Sequence, residues 1–282
     1  MGLRINTNTA SLNAQKNLMG TKLGLDKSLE RLSSGYRINR AGDDAAGLAI
    51  SENLRAQIRG LKQASRNAQD GVSLVQVAEG SLNEISSILI RLRELAVQAA
   101  SDTIGPVERQ FLNVEYDQLI SEVDRIADGT EFNGTALLSG TGSILDFQVG
   151  TRNDPNIDRL SFDASKADAN SAALGVNLTS VADKASAQNT LSAIDQAIVS
   201  VSAMRADFGA IQNRLQSTIS NLAVSVENMS AANSRIRDVD VAEETAELTR
   251  NNILLNAGTS VLAQANQTAQ TALGLLNRTF QG

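Results

Sequence analysis

The chain has 282 residues, a net charge of −6 and a pI near 4.9; 42% of it is hydrophobic, 3% aromatic, and it holds no histidine, cysteine or tryptophan. Without His or Cys there is no Ser-His-Asp or Cys-His nucleophile, no His- or Cys-ligated zinc and no disulfide, and an acidic surface repels nucleic acid. No apolar run approaches the ~18 residues that insert across a membrane, and the first fifteen residues lack the apolar core of a cleavable signal, which leaves a cytosolic protein or one exported without such a signal.

Only Pro106 and Pro155 occur, and proline scarcity favours long helices. A first helix, about 6–33, carries Ile5, Leu12, Leu18, Leu25, Leu29 and Leu32. A linker, 33–44, ends at Asp43 and Asp44, which suit a helix N-cap. From Ile50 to Ala99 apolar residues alternate in steps of three and four, with gaps only at Gln57 and Gly71. That spacing is a coiled-coil seam, and one helix over 44–100 would be roughly 85 Å long. Gly105-Pro106 breaks the chain and starts a shorter helix ending at Gly129.

Residues 129–180 differ in character. Leu145, Phe147 and Val149 alternate with polar residues, as do Leu160 and Phe162, across a turn-rich stretch; this predicts a small β-hairpin. A further helix then shows sevenfold spacing from Ile194 through Val201, Phe208, Leu215, Leu222 and Met229 to Ile236. The last repeats the pattern with Val241, Leu248, Leu255, Leu262, Ala269 and Leu276, with Ala265 and Ala272 between. The fold class is mainly α, a rod of long coiled-coil helices with a small central β-hairpin region. Its predicted parts are 1–43, 44–128, 129–184, 185–237 and 238–282. The layout is nearly mirror-symmetric, so folding at the middle brings the termini to one end and places the hairpin region at the other.

The two extremities are almost uncharged. Lys16 is the only charge between Ile5 and Thr21, and Arg278 the only one between Asn251 and Gly282. A solvated surface helix carries charge opposite its apolar stripe; helices bearing amides and hydroxyls there can be packed on several sides. One chain cannot surround both, so many side-by-side copies complete the packing, with Ile5, Leu12, Leu18, Leu25, Leu29, Leu32, Leu248, Leu255, Leu262, Ala265, Ala269 and Leu276 as the seam. The two linkers mix Arg37, Arg40, Asp43 and Asp44 with Arg235, Arg237, Asp238 and Asp240. These read equally as register-setting pairs, within the chain or between copies, and as solvated linkers with helix caps.

Residues 3–15 (LRINTNTASLNAQ), 32–50 (LSSGYRINRAGDDAAGLAI) and 67–80 (NAQDGVSLVQVAEG) resemble the amino-terminal part of bacterial flagellins, and 234–240 (SRIRDVD) and 257–266 (AGTSVLAQAN) the carboxy-terminal part. The resemblance covers roughly 1–140 and 185–282 and implies a flagellar filament subunit, exported through the flagellar type III apparatus and needing no cofactor. It implies that 1–35 and 240–282 form an inner coiled-coil tube and that the rods, 44–128 and 185–236, surround it. It also implies as partners further copies of the chain, an export chaperone at the carboxy-terminal helix, and hook-associated junction and cap proteins. Residues 89–98 (LIRLRELAVQ) resemble the stretch sensed by a host Toll-like receptor, with Arg91, Leu95 and Glu115 at its contact positions; rod core (Leu89, Leu92) and solvated face (Arg91, Arg93) is the plainer reading. The alternatives are a hook–filament junction protein of the same family and a secreted coiled-coil adhesin or immune ligand acting as a monomer.

No enzymatic site stands out. Gly140-Thr-Gly142 lacks a third glycine and a strand–helix setting, and the flagellin metallopeptidase motif needs histidine. Asn133-Gly-Thr135 fits a glycosylation triplet and nothing more.

Overall fold

The computed structural model describes residues 7–279, and all of their side chains except those of 268, 269 and 272–279. Ile5 and the side chains of Ala269 and Leu276 therefore lie outside the described residues. The described helices are α1 (Thr9–Ser34), α2 (Ala45–Ala99), α3 (Pro106–Gly129), α4 (Lys184–Arg237) and α5 (Val241–Thr279). Strands β1 (Glu131–Phe132), β2 (Thr135–Ala136), β3 (Ile144–Gln148) and β4 (Arg159–Asp163) form two antiparallel pairs, β1–β2 and β3–β4. The chain divides into two compact units: residues up to Ala56 together with those from Met229, and Gln57–Asn228.

The larger unit is a helical bundle cored by the predicted seams. Along α2 every apolar seam position from Ala64 to Ala99 is buried, and along α4 Ile194, Val201, Phe208, Leu215 and Leu222 are buried. Each such Leu, Ile or Val side chain contributes about 1.5–3 kcal/mol on leaving water. Tyr116, Val123 and Ala127 of α3 close the third side of this core. The seam's gap at Gly71 has a use: a Cβ there would stand 3.1 Å from Phe147 and 3.2 Å from Leu215, so the missing side chain makes a slot for the hairpin. The other gap, Gln57, is bridged by buried Ile58.

The β3–β4 hairpin forms with Leu145 opposite Phe162 and Phe147 opposite Leu160. Its placement corrects one expectation. It does not cap the end of the rods remote from the termini but lies along them, where Val149 and Leu160 pack with Ala68 and Leu215. Asn67 Nδ2 donates to the Gln148 carbonyl (3.0 Å) at the same level. A two-stranded hairpin is marginal alone, and the rods supply the only long apolar face for Leu145, Phe147, Leu160 and Phe162 to cover. The remote end is closed instead by the α2–α3 turn, where Lys184 Nζ meets Asp102 at 2.7 Å.

Two further features complete the middle. Asn133 and Gly134, both at positive φ (51° and 77°), form the two-residue turn of the β1–β2 hairpin, the strongest short-range hairpin signal there is. The irregular stretch 164–181 buries Ala164, Ala169, Leu174, Val176 and Val181 in the core. Polar residues of α3 hold it: Asp124 accepts from the Ser171 amide (2.7 Å) and hydroxyl (2.8 Å), and Asn113 Oδ1 accepts from the Val181 amide (2.9 Å). The Tyr116 hydroxyl lies 2.6 Å from Thr179 Oγ1, and burial raises its pKa.

Candidate assembly surface

The smaller unit brings the two nearly uncharged stretches together. Asn8 Nδ2 donates to the Ala265 carbonyl (2.9 Å), Ser11 Oγ to Asn266 Oδ1 (3.0 Å), and Arg31 to Glu244 (3.2 Å). Rising numbers on α1 meet falling numbers on α5, so the pair is antiparallel. The helices touch closely where glycine allows: a Cβ on Gly258 would lie 2.8 Å from Leu18.

What this pair buries is unusual for a coiled coil. Its buried residues are Ser11, Ser28, Glu244 and Asn251. The seam leucines Leu18, Leu25, Leu32, Leu248, Leu255 and Leu262, with Ala265, are only half-buried. Leu12 and Leu29 are 56% and 50% exposed, and Met19, Leu23, Ile253, Leu254 and Val261 are exposed beside them. Ala242, Thr245, Ala246, Thr249, Ile253 and Leu254, with Arg250 among them, line a shallow groove of about 540 Å³ along α5. Exposed apolar surface this extensive marks an interaction site, and Leu12, Met19, Ile253, Leu254 and Val261 lie in the two stretches whose only charges are Lys16 and Arg278.

The linkers form a clasp. Arg37 N donates to the Arg237 carbonyl (2.7 Å) and Val239 N to the Gly35 carbonyl (3.1 Å), around a bridge between Tyr36 and Asp238. The Arg237 guanidinium sits 4.8 Å from the Tyr36 ring centroid and pairs with Glu52, and Arg37 Nη2 donates to the Ile236 carbonyl (2.6 Å). Arg40 pairs with Glu30 (2.9 Å) and Asp43 with Lys27 (2.7 Å). Asp44 Oδ1 accepts from Gly47 N (2.8 Å) and Asp240 Oδ1 from Ala242 N (2.9 Å), each capping a helix. Thus the linker charges do not pair with one another. Their partners Lys27, Glu30 and Glu52 lie on the flanking helices. Among the described residues, the Arg235 and Asp238 side chains make no hydrogen bond or ion pair.

Lys27, and behind it the Arg40 and Asn39 amides, hold Asp43 down to about pH 2, against an ordinary value of 3.8. A depressed carboxylate stabilises the fold above its unfolded pKa, and that share is lost as pH falls through the folded value. Asp43→Asn should therefore melt below the parent chain by a constant margin above pH 5, and the margin should close between about pH 4 and pH 2; thermal melts by circular dichroism across that range check it.

On the larger unit Arg91 bridges Glu115 (2.8 Å) and Glu94 (2.9 Å), whereas Leu95 is fully buried beneath them. Arg91 and Glu115 are thus surface groups already paired, and Leu95 is core.

These features first define a class: a mainly α-helical subunit whose terminal helices pair with each other and leave large apolar side chains exposed. Comparison with known proteins places it further. The model of the bacterial flagellin N-terminal helical region matches residues 5–143, and that of the bacterial flagellin C-terminal helical region matches residues 191–276. The chain is 50% identical to a flagellin of Halalkalibacterium halodurans, over 96% of this chain and 99% of that one. It is 46% identical to a flagellin of Bacillus subtilis (97% and 100%) and 44% identical to the flagellar filament 33 kDa core protein of Treponema phagedenis (96% and 99%). The crystal structure of Bacillus cereus flagellin superposes with a TM-score of 0.50 at 35% identity, covering 60% of this chain and 94% of that one. The chain belongs to the bacterial flagellin family. It is a structural subunit of the flagellar filament, a polymer of itself.

Proposed function

We propose that α1 and α5 form the inner tube of the filament, that the rods, 44–128 and 185–237, surround it, and that the seam from Leu12 to Leu262 is where copies meet. The observation that carries this reading is the half-exposed state of Leu18, Leu255 and Leu262, in stretches whose only charges are Lys16 and Arg278. Heterologous contacts of this kind generate an open helix rather than a closed ring. The subunit is exported through the flagellar type III apparatus. In transit, an export chaperone covers α5, whose open groove and exposed Leu254 and Val261 need cover before assembly. Junction and cap proteins bind the same ends at the filament's limits. Host recognition centres on Arg91 of α2 and Glu115 of α3, with Leu95 anchoring α2 from beneath.

No observation favours a hook–filament junction protein. The likeness to a hook-associated protein of Vibrio parahaemolyticus (TM-score 0.57, 14% identity, 70% of this chain and 100% of that one) is one of fold. Electron microscopy of the purified chain in polymerising salt tests the difference: long filaments are expected, and a chain that stays monomeric while folded would be behaving as a junction protein.

A further inference from the structure

Asn133-Gly134 is the only Asn-Gly pair in the chain. Both residues are exposed, and a Cβ on Gly134 would meet nothing within 4 Å. The Asn133 side-chain amide makes no hydrogen bond among the described residues, and neither does the Gly134 backbone N–H, because the hairpin pairs only Glu131 with Ala136 and Phe132 with Thr135. An amide carbon and an unengaged backbone nitrogen therefore stand next to each other with no side chain between them.

We propose that Asn133-Gly134 is a self-modifying site, at which the chain converts its own asparagine to aspartate and iso-aspartate as the subunit ages. The Gly134 nitrogen, its proton taken by solvent base, attacks Asn133 Cγ. The Cγ–Nδ2 bond breaks, and ammonia leaves with a proton from water. The resulting five-membered succinimide then takes up one water at either carbonyl, opening to aspartate or to iso-aspartate, in which the main chain runs through the former side chain. No oxidant or cofactor is needed. The hairpin restrains the step, since two-residue strands must part before the nitrogen can swing toward Cγ, so conversion is gated by local opening.

Neighbouring asparagines are protected in ways this one is not. Ser171, which follows Asn170, has its backbone N–H donated to Asp124 (2.7 Å), and Ser234, which follows Asn233, lies inside α4. The product changes the molecule twice over. It adds a negative charge to a chain already at −6. Iso-aspartate also lengthens the backbone within a turn that admits two residues, beside Leu137 and Leu138, both fully buried in the core.

The test is incubation of the purified full-length chain at neutral and mildly alkaline pH, followed by peptide mapping with mass spectrometry and iso-aspartate detection. The expected result is replacement of amide by acid at Asn133 ahead of Asn170 and Asn233, faster at alkaline pH, with iso-aspartate as the main product and slower than in the excised peptide 131–136. Asn133→Gly, which still suits the turn, should age without any mass change in that peptide and keep its melting temperature. An Asn133 that stays an amide while the excised peptide converts, or that converts no faster than Asn170, overturns the proposal.

Discussion

Leu262→Asp is expected to give a soluble chain that forms no filaments. Leu262 is half-buried within its own chain, and in the proposed assembly other copies cover its remaining surface. An aspartate there must be desolvated where the nearby stretches, Ile5 to Thr21 and Asn251 to Gly282, offer no cations but Lys16 and Arg278. Unpaired burial costs several kcal/mol or more, and in a polymer that cost recurs at every subunit. The rods belong to the other compact unit and should keep their fold and their cooperative melt. Sedimentation after salt-induced polymerisation, with circular dichroism as the folding control, checks both halves. Leu262→Ala, which removes contact without adding charge, should raise the critical concentration and still polymerise.

The second large effect is on the bundle. Phe208 is 1% exposed, and its ring lies 4.8 Å from that of Phe162, tilted at 43°. It is thus the point where the hairpin's inner face meets the α4 seam. Phe208→Ala removes a buried ring and leaves a cavity, at a cost of about 3–5 kcal/mol. The groove beside it, lined by Met204, Ile211 and Arg214 and about 300 Å³ in volume, lets water reach the space and favours the lower end of that range. At about 2–4 °C per kcal/mol for a unit of this size, the lower end, about 3 kcal/mol, lowers the rod's melting temperature by roughly 6–12 °C. Urea unfolding followed at 222 nm measures the loss directly. A Phe208→Leu chain, which refills most of the volume, should recover the greater part of it.

Much of the architecture was legible because it rests on periodic signals. The sevenfold run from Ile194 to Leu222 is the buried stripe of α4, and the break at Gly105-Pro106 is the start of α3. Asp44 caps α2 as its position at the end of the linker suggested. Other features carry no period. Asn113 and Asp124 look like surface residues of a helix, yet they satisfy backbone amides of a buried loop from another part of the chain. Lys27, Glu30 and Glu52 are ordinary helix charges until the fold brings the linkers to them. The hairpin's strands were readable from alternation, but their position along the rods depended on a glycine gap in a distant helix. The β1–β2 turn did have a local signal, Asn-Gly at two positive φ values.

The terminal helices are the reverse case, legible through what they lack. Absent charge in two remote segments predicts an enclosed environment, and the folded single chain does not supply it: Leu12, Met19, Leu23, Leu254 and Val261 remain open to water. A helical reconstruction of filaments from the native cell measures that environment directly. The account requires these five side chains, with Leu262, to be enclosed by neighbouring subunits at the centre of the wall; density placing them on a surface lined by solvent would contradict it.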